Sequence, residues 1–158
     1  VELNQLADRA SSRLLLWKEG REGVGECEEL CRETPGNCFD LIFVCDCVHF
    51  VDFHSSLLCT LGRCLSTNGL AILVQPRRER SLEKFTTMLD AVPDAFGYEV
   101  LTPETADPEL HAKHLSLISA ADGTYDPNLH MPLYLLVTKK REWREDVDGD
   151  RIRRRGVE

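Results

Sequence analysis

An aspartate, Asp46, directly follows the most apolar segment of the sequence, residues 39–45. If this segment is a buried strand of an α/β sheet, Asp46 lies at its carboxyl end, where ligands bind in such sheets. A carboxylate there can accept a hydrogen bond from a substrate amine and balance the positive charge that develops on it. Asp46 is therefore the candidate catalytic residue. The structural alternative is an aspartate that caps the turn after the strand.

The thiols are the second group of side chains that could do chemistry. The sequence contains seven cysteines, which is an odd number, and no export leader opens the chain. These two features predict reduced thiols in a cytoplasmic protein, with the nucleus as a further location. Cys27, Cys31 and Cys38 lack the paired C-x-x-C spacing of tetrahedral zinc sites, so we expect no metal site. The other four lie inside apolar segments, where a free thiol acts as a small apolar side chain: Cys45, Cys47, Cys59 and Cys64.

Apolar periodicity predicts the elements that would position these side chains. Strands are expected over residues 14–17, 39–45, 70–74, 98–101 and 133–138, and helices over 2–13, 53–65 and 82–92. The strand over 39–45 is expected to be buried on both faces. Alternating strands and helices imply a parallel sheet with helices on its faces. Because a polar connection rather than a helical crossover joins the last two strands, they are expected to pair antiparallel at the edge. The sequence therefore predicts an α/β fold.

The composition is that of one soluble globular domain, with 158 residues of which 42% are apolar and 29% are charged. The net charge of −8 argues against a nucleic-acid partner and against attraction to an anionic membrane surface. No apolar run approaches the roughly 20 residues that cross a bilayer. Charged residues dominate 142–158, which we expect to be a solvated, disordered tail outside the domain.

Three stretches carry a family resemblance. They are DCVHF at residues 46–50, PRR at 76–78 followed by L-x-x-F at 82–85, and NLHMPL at 128–133; a strand that ends in tryptophan at 14–17 accompanies them. With these stretches in this order, residues 1–141 resemble the seven-strand S-adenosylmethionine-dependent methyltransferases. Within that class they are most similar to the branch that methylates lysines on non-histone proteins such as calmodulin. The resemblance implies a partial Rossmann-like sheet that is mostly parallel, with an antiparallel terminal strand pair.

The resemblance also implies roles for individual residues. Asp46 would face the substrate amine, while Leu16, Trp17 and Cys45 would contact S-adenosylmethionine. For Trp17 and Cys45, the alternative is a plain core residue. Residues that would bind an acidic protein substrate, with calmodulin as the expected one, are Arg77, Arg78, Asn128 and His130. For this second set, the alternatives are a solvated loop for the arginines and a hydrogen-bonded structural role for the histidine.

Two features of the family are expected upstream of Val1, namely the glycine-rich loop after its first strand and the acidic residue that holds the cofactor ribose. Residues 1–141 would then be the C-terminal portion of the domain, and the chain alone is expected to be inactive. Another protein's lysine is an alternative target. A different alternative is a truncated, non-catalytic module that binds protein through the exposed apolar edge of the strand at 39–45.

Overall fold

Four strands form one mixed sheet in the computed structural model, which describes residues 10–76, 78, 80–119, 126 and 130–155. The strands are β1 (Phe39–Cys45), β2 (Leu65–Pro76), β3 (Phe96–Leu101) and β4 (Pro132–Lys139). The helices are α1 (Gly20–Cys31), α2 (His54–Cys64), α3 (Ser81–Leu89), α4 (Pro103–Ala106), α5 (Pro108–Ser119) and α6 (Asp150–Arg155). Shorter helical turns lie at Pro35–Asn37, Val51–Phe53 and Glu145–Gly149.

Three of the four strands run in the same direction. In the sheet order β1–β2–β4–β3, β1 is parallel to β2, whereas β4 is antiparallel to both of its neighbours. The carboxyl ends of β1, β2 and β3 therefore meet the amino end of β4 at one edge. Cys45 lies opposite Val74 there, and Pro76 lies opposite Pro132. The α/β class and the antiparallel terminal pair are confirmed, and the arrangement is a partial Rossmann-like sheet.

One face of this sheet forms the core because α2 and α3 cover it. Alternate residues of β2 and β4 on this face, such as Leu73 and Leu135, are fully buried. Leu58 of α2 and Phe85 of α3 belong to the same apolar cluster. Since fully burying such a side chain contributes about 1.5–3 kcal/mol, this cluster supplies much of the apolar stabilisation of the fold.

The opposite face is open at β1. Leu41 and Phe43 are 47% and 65% exposed, whereas Val44 is buried on the helix side. The expectation that this strand is buried on both faces is therefore wrong for the described residues. Within them, β1 is also an edge strand that pairs with β2 alone. The exposed apolar edge expected for this strand is present.

The segment before β1 differs from its prediction. Residues 14–17 form no strand, and Trp17 instead packs against the main core from an irregular segment. α1 is a full helix of 12 residues. Cys27 and Cys31 lie four residues apart on its buried face and pack with Cys64 of α2. The helix predicted over 2–13 falls mainly on residues 1–9, which lie outside the described residues.

Two helices, α4 and α5, occupy part of the long polar connection expected over residues 102–132. Thr102 caps α4 because its hydroxyl accepts a hydrogen bond from the Thr105 N–H, while the Thr105 hydroxyl accepts one from the Thr102 N–H. Leu110, Leu115 and Leu117 of α5 are exposed, so this helix buries no clear apolar stripe. No described helix is long and apolar enough to span a bilayer.

The disordered tail expected over 142–158 is instead packed on the fold as far as Arg155. The Trp143 ring lies 5.8 Å from the Phe96 ring and directly over Gly62 of α2, where a Cβ would come within 2.4 Å of the indole. Ile152 of α6 is completely buried in the main core. Two spaced side chains, rather than an apolar run, therefore dock this segment.

Ion pairs complete the docking of the C-terminal segment. The Glu145 carboxylate accepts two hydrogen bonds from Arg63, of 3.1 and 2.7 Å. Asp148 is fully buried and accepts two from Arg141, each of 2.8 Å, and one from the Arg144 N–H. Burial raises the pKa of Asp148, but these donors outweigh it and hold the pKa below its ordinary value. The charges that suggested a solvated tail are thus partly paired and buried.

Candidate active site

Asp46 stands at the carboxyl end of β1, beside the end of β2. Its N–H donates to the Val74 carbonyl at 2.9 Å and extends the β1–β2 ladder by one residue. Its φ of +54° turns the chain sharply at this point, in a conformation that aspartate adopts more readily than most residues. Oδ2 accepts a hydrogen bond from Arg78 Nη2 at 2.9 Å, and Oδ1 lies 3.6 Å from His49 Nδ1. The half-exposed carboxylate is therefore positioned and retains lone pairs for an amine donor.

Two histidines shape the segment that follows Asp46. The His49 ring stacks at 3.7 Å on the Phe50 ring, and its buried Nδ1 makes no hydrogen bond to the described residues. The buried His54 ring contacts the Val48 carbonyl through Nε2 at 2.5 Å and packs edge-on against Phe85. Burial lowers the pKa of His54, which favours a neutral ring. His54 therefore anchors this segment to the core, whereas His49 faces the Asp46 carboxylate.

A groove of about 350 Å³ runs along β1 towards Cys45. Trp17 and Cys45 both line it, so the structure brings these two predicted cofactor residues together. Leu16 does not line this groove and is 45% exposed; its neighbour Leu15 lines it instead. Cys47 completes the end near the site, where its thiol donates to the Cys45 carbonyl at 3.2 Å. The rest of the lining is mostly apolar.

Gln75 is a residue of this edge that the sequence analysis did not identify. It precedes Pro76 at the end of β2, faces the helix-covered side with Leu73, and is 4% exposed. Neither its amide oxygen nor its amide nitrogen has a hydrogen-bond partner in the described structure. Because buried polar groups are almost always paired, such a group at a candidate site requires an explanation. The sequence feature that could have identified Gln75 is a side-chain amide within an otherwise apolar strand.

The four predicted substrate-binding residues have different outcomes. Arg78 contacts Asp46 directly, as described above. The exposed His130 lies two residues before β4, where its Nδ1 accepts a hydrogen bond from the Asp126 N–H at 2.9 Å. Since β4 begins opposite the end of β2, His130 belongs to the same edge of the sheet. Arg77 and Asn128 lie outside the described residues.

The described residues contain no group of three or more histidine, cysteine or acidic side chains arranged to hold a metal ion. The polar groups described at this edge are the carboxylate of Asp46, the guanidinium of Arg78, the His49 ring and the Gln75 amide. These groups can orient and deprotonate an amine or stabilise positive charge on it.

The first 92 residues of the chain match a family model described as lysine methyltransferase, which is more than half of the chain. The chain belongs to the lysine methyltransferase family. Calmodulin-lysine N-methyltransferase of Arabidopsis thaliana is 29% identical over 108 residues, covering 66% of this chain and 34% of the relative. The chain thus spans about a third of that relative's length. The solved structure StiE O-MT aligns with 88% of this chain and 63% of its own, at 14% identity and a TM-score of 0.41.

Family membership implies a methyl donor of the S-adenosylmethionine type. The groove beside β1 fits the adenine end of such a donor, because it offers the flat Trp17 ring, the Cys45 and Cys47 sulfurs and apolar walls. None of the lining residues carries a carboxylate that could accept hydrogen bonds from the ribose hydroxyls. Trp17 and Cys45 both belong to the lining of this groove.

Proposed function

We propose that this chain is part of a protein-lysine methyltransferase that uses S-adenosylmethionine and acts on a lysine of an acidic protein, with calmodulin as the first candidate. The observation that carries the proposal is the position of the Asp46 carboxylate, which joins the tip of β1 to Arg78 at the edge where the Cys45 groove ends. The relative that is named for calmodulin-lysine methylation supports the choice of substrate.

Asp46 has the chemistry that the reaction needs from the protein. When bound, the donor supplies an electrophilic methyl group on a sulfonium. The attacking lysine must be a neutral amine, held in line and shielded from water. Oδ1 of Asp46 accepts a hydrogen bond from that amine and stabilises the positive charge that grows on it, while Arg78 holds Oδ2 in place. Arg78 acts as a positioning residue in this scheme.

The residues after β2 support the choice of an acidic substrate. Arg78 and Arg80 are described there, and Arg77 lies between β2 and these two in sequence. The whole chain carries a net charge of −8, so these arginines form a positive group in a chain that is acidic overall. An acidic protein surface would be attracted to it, which favours orientation and rate of encounter more than tight affinity.

The test is methyl transfer by full-length protein that contains this chain, with labelled S-adenosylmethionine and purified calmodulin. Asp46→Asn is expected to lower kcat/KM by about 100-fold or more, the scale of one electrostatic contact in a transition state. Its thermal unfolding midpoint should stay close to that of the wild type, because the side chain is half exposed.

Asp52→Asn is the matched control, since Asp52 is an exposed aspartate six residues away in the turn before α2. It should leave turnover unchanged. Normal turnover in Asp46→Asn would remove this carboxylate from the mechanism. Label on another protein, with none on calmodulin, would contradict calmodulin as the substrate but would support the proposed methyltransferase activity.

A second candidate function is binding of a protein strand or apolar surface at β1 without catalysis. The exposure of Leu41 and Phe43 on an edge strand is the observation that favours it. The double variant Leu41→Lys and Phe43→Lys would abolish such binding and leave Asp46 in place. Loss of a captured partner, in a protein that transfers no methyl groups, would support this candidate over the enzyme.

A further inference from the structure

Three buried thiols face one another between α1 and α2. Cys27 and Cys31 of α1 and Cys64 at the end of α2 are each 2–3% exposed and form an apolar cluster of their own. Cys27 and Cys31 are four residues apart on one helix face, and both pack with Cys64 in this cluster. Cys64 also lines the groove beside β1, whereas Cys27 and Cys31 do not.

A buried arginine sits beside these thiols. The Arg63 side chain is only 7% exposed, and it donates hydrogen bonds to the Lys18 carbonyl at 3.0 Å and to Glu145. These contacts fix the guanidinium near Cys27. A hydrogen bond from the Cys64 thiol and the Arg63 charge lower the pKa of Cys27 to about 7, against the opposing effect of burial. The same hydrogen bond and burial raise the pKa of Cys64.

A small oxidant has access to this cluster. A groove of about 370 Å³ is lined by Cys27 and Cys31, with Arg63, Glu28 and Asn37 among its other residues. The cluster therefore combines a thiol whose pKa is lowered, a second thiol packed in the same cluster and an opening large enough for a molecule of a few atoms.

We propose that Cys27 and Cys64 form a peroxide-sensitive dithiol that oxidises to a disulfide between α1 and α2. In the first step, the Cys27 thiolate attacks hydrogen peroxide; the O–O bond breaks, an S–O bond forms and hydroxide leaves. In the second step, the Cys64 sulfur displaces this oxygen from Cys27, and after proton transfer one water is released. In total, two thiols and one peroxide give one disulfide and two waters, so each sulfur loses one electron.

The cross-link would close a loop of the chain that contains part of the candidate site. Residues 28–63 would form a closed loop that contains β1, Asp46 and nearly all of α2. Closing a loop of this length lowers the entropy of the unfolded chain, so the oxidised protein should melt several degrees higher than the reduced protein.

Mass spectrometry of the full-length wild-type protein tests the inference directly. The reduced protein is treated with one equivalent of hydrogen peroxide, its free thiols are alkylated, and the digest is searched for cross-linked peptides. A reducible link between the Cys27 and Cys64 peptides is expected before the exposed Cys45 is oxidised. Oxidation of Cys45 with Cys27 and Cys64 fully alkylated would overturn the proposal, and a Cys31–Cys64 link would refute Cys27 as the nucleophile.

Two variants on α2 sharpen the result. Cys64→Ala should remove the link and leave a sulfenic acid on Cys27 that a dimedone probe captures. Cys59→Ala is the matched control, because Cys59 is buried on the same helix but lies in the main core, where burial raises its pKa to about 12. This control should keep the link. If Cys64→Ala does not fold, the wild-type peptide map alone decides the question.

Discussion

Replacing Gln75 with methionine is expected to make the protein more stable. The side chain is 4% exposed and lies among fully buried neighbours such as Leu73. Its amide oxygen and nitrogen both lack partners in the described structure. An unpaired buried polar group costs about 1–3 kcal/mol. Methionine has nearly the same length and shape without the amide, so Gln75→Met should raise the free energy of unfolding by about 2 kcal/mol.

This gain corresponds to a rise of about 4–8 °C in the thermal unfolding midpoint of a chain of this size. Differential scanning calorimetry of both proteins measures it. Thr60→Val is the matched control: its buried hydroxyl donates to the Ser56 carbonyl at 2.8 Å, so its removal should be neutral or destabilising. A lower midpoint for Gln75→Met would show that the amide is satisfied and would refute the reasoning.

The same variant is informative about function. If the unpaired amide is kept for a ligand at this edge, Gln75→Met should gain stability and lose methyl transfer in the full-length protein. A stabilised variant with unchanged kcat/KM would mean that Gln75 has no part in the site.

The other predictions concern the groove and the C-terminal segment. Calorimetry of this chain with S-adenosylmethionine should detect no micromolar binding, because the groove residues provide no carboxylate for the ribose; micromolar affinity would contradict this. Gly62→Ala should destabilise the protein by about 1–3 kcal/mol in urea unfolding, because the new methyl group meets the Trp143 ring. Gly25→Ala, in the open interior of α1, should not destabilise it. The lowered pKa of Asp148 stabilises the fold above its unfolded value of about 3.9, and this contribution is lost as the pH falls through the folded value. Trp143 fluorescence should therefore change below about pH 4, and Asp148→Asn should weaken that dependence.

The sequence was sufficient to predict the central part of the fold. Residues 39–45 were expected as a strand and β1 has these same bounds, while β2, α2 and α3 lie close to their expected positions. β2, α2 and α3 bury a periodic set of apolar side chains, so local pattern and tertiary packing agree there. Asp46 was identified as a candidate residue because it directly follows the strand predicted over residues 39–45 in the sequence.

The features that the sequence analysis predicted wrongly or missed have a common physical origin. Each of them depends on contacts between residues that are distant in sequence. Trp143 and Ile152 anchor the C-terminal segment singly. The contacts of Trp143 with Phe96 and Gly62 cannot be inferred from a charged stretch of sequence. α1 has few apolar residues and is held by thiols that meet α2. The unpaired state of the Gln75 amide depends on its three-dimensional surroundings and cannot be inferred from the strand sequence.

The docking of residues 143–155 determines where this chain can be shortened. A boundary after residue 141, where the apolar sequence pattern ends, would strip the indole from Phe96 and Gly62 and open the cavity now filled by Ile152. It would also remove the Glu145 partner of the sheltered Arg63 guanidinium, whose charge would then be poorly compensated. Expression trials that trim the chain at that point should yield an insoluble product, and a usable C-terminal cut lies beyond Arg155.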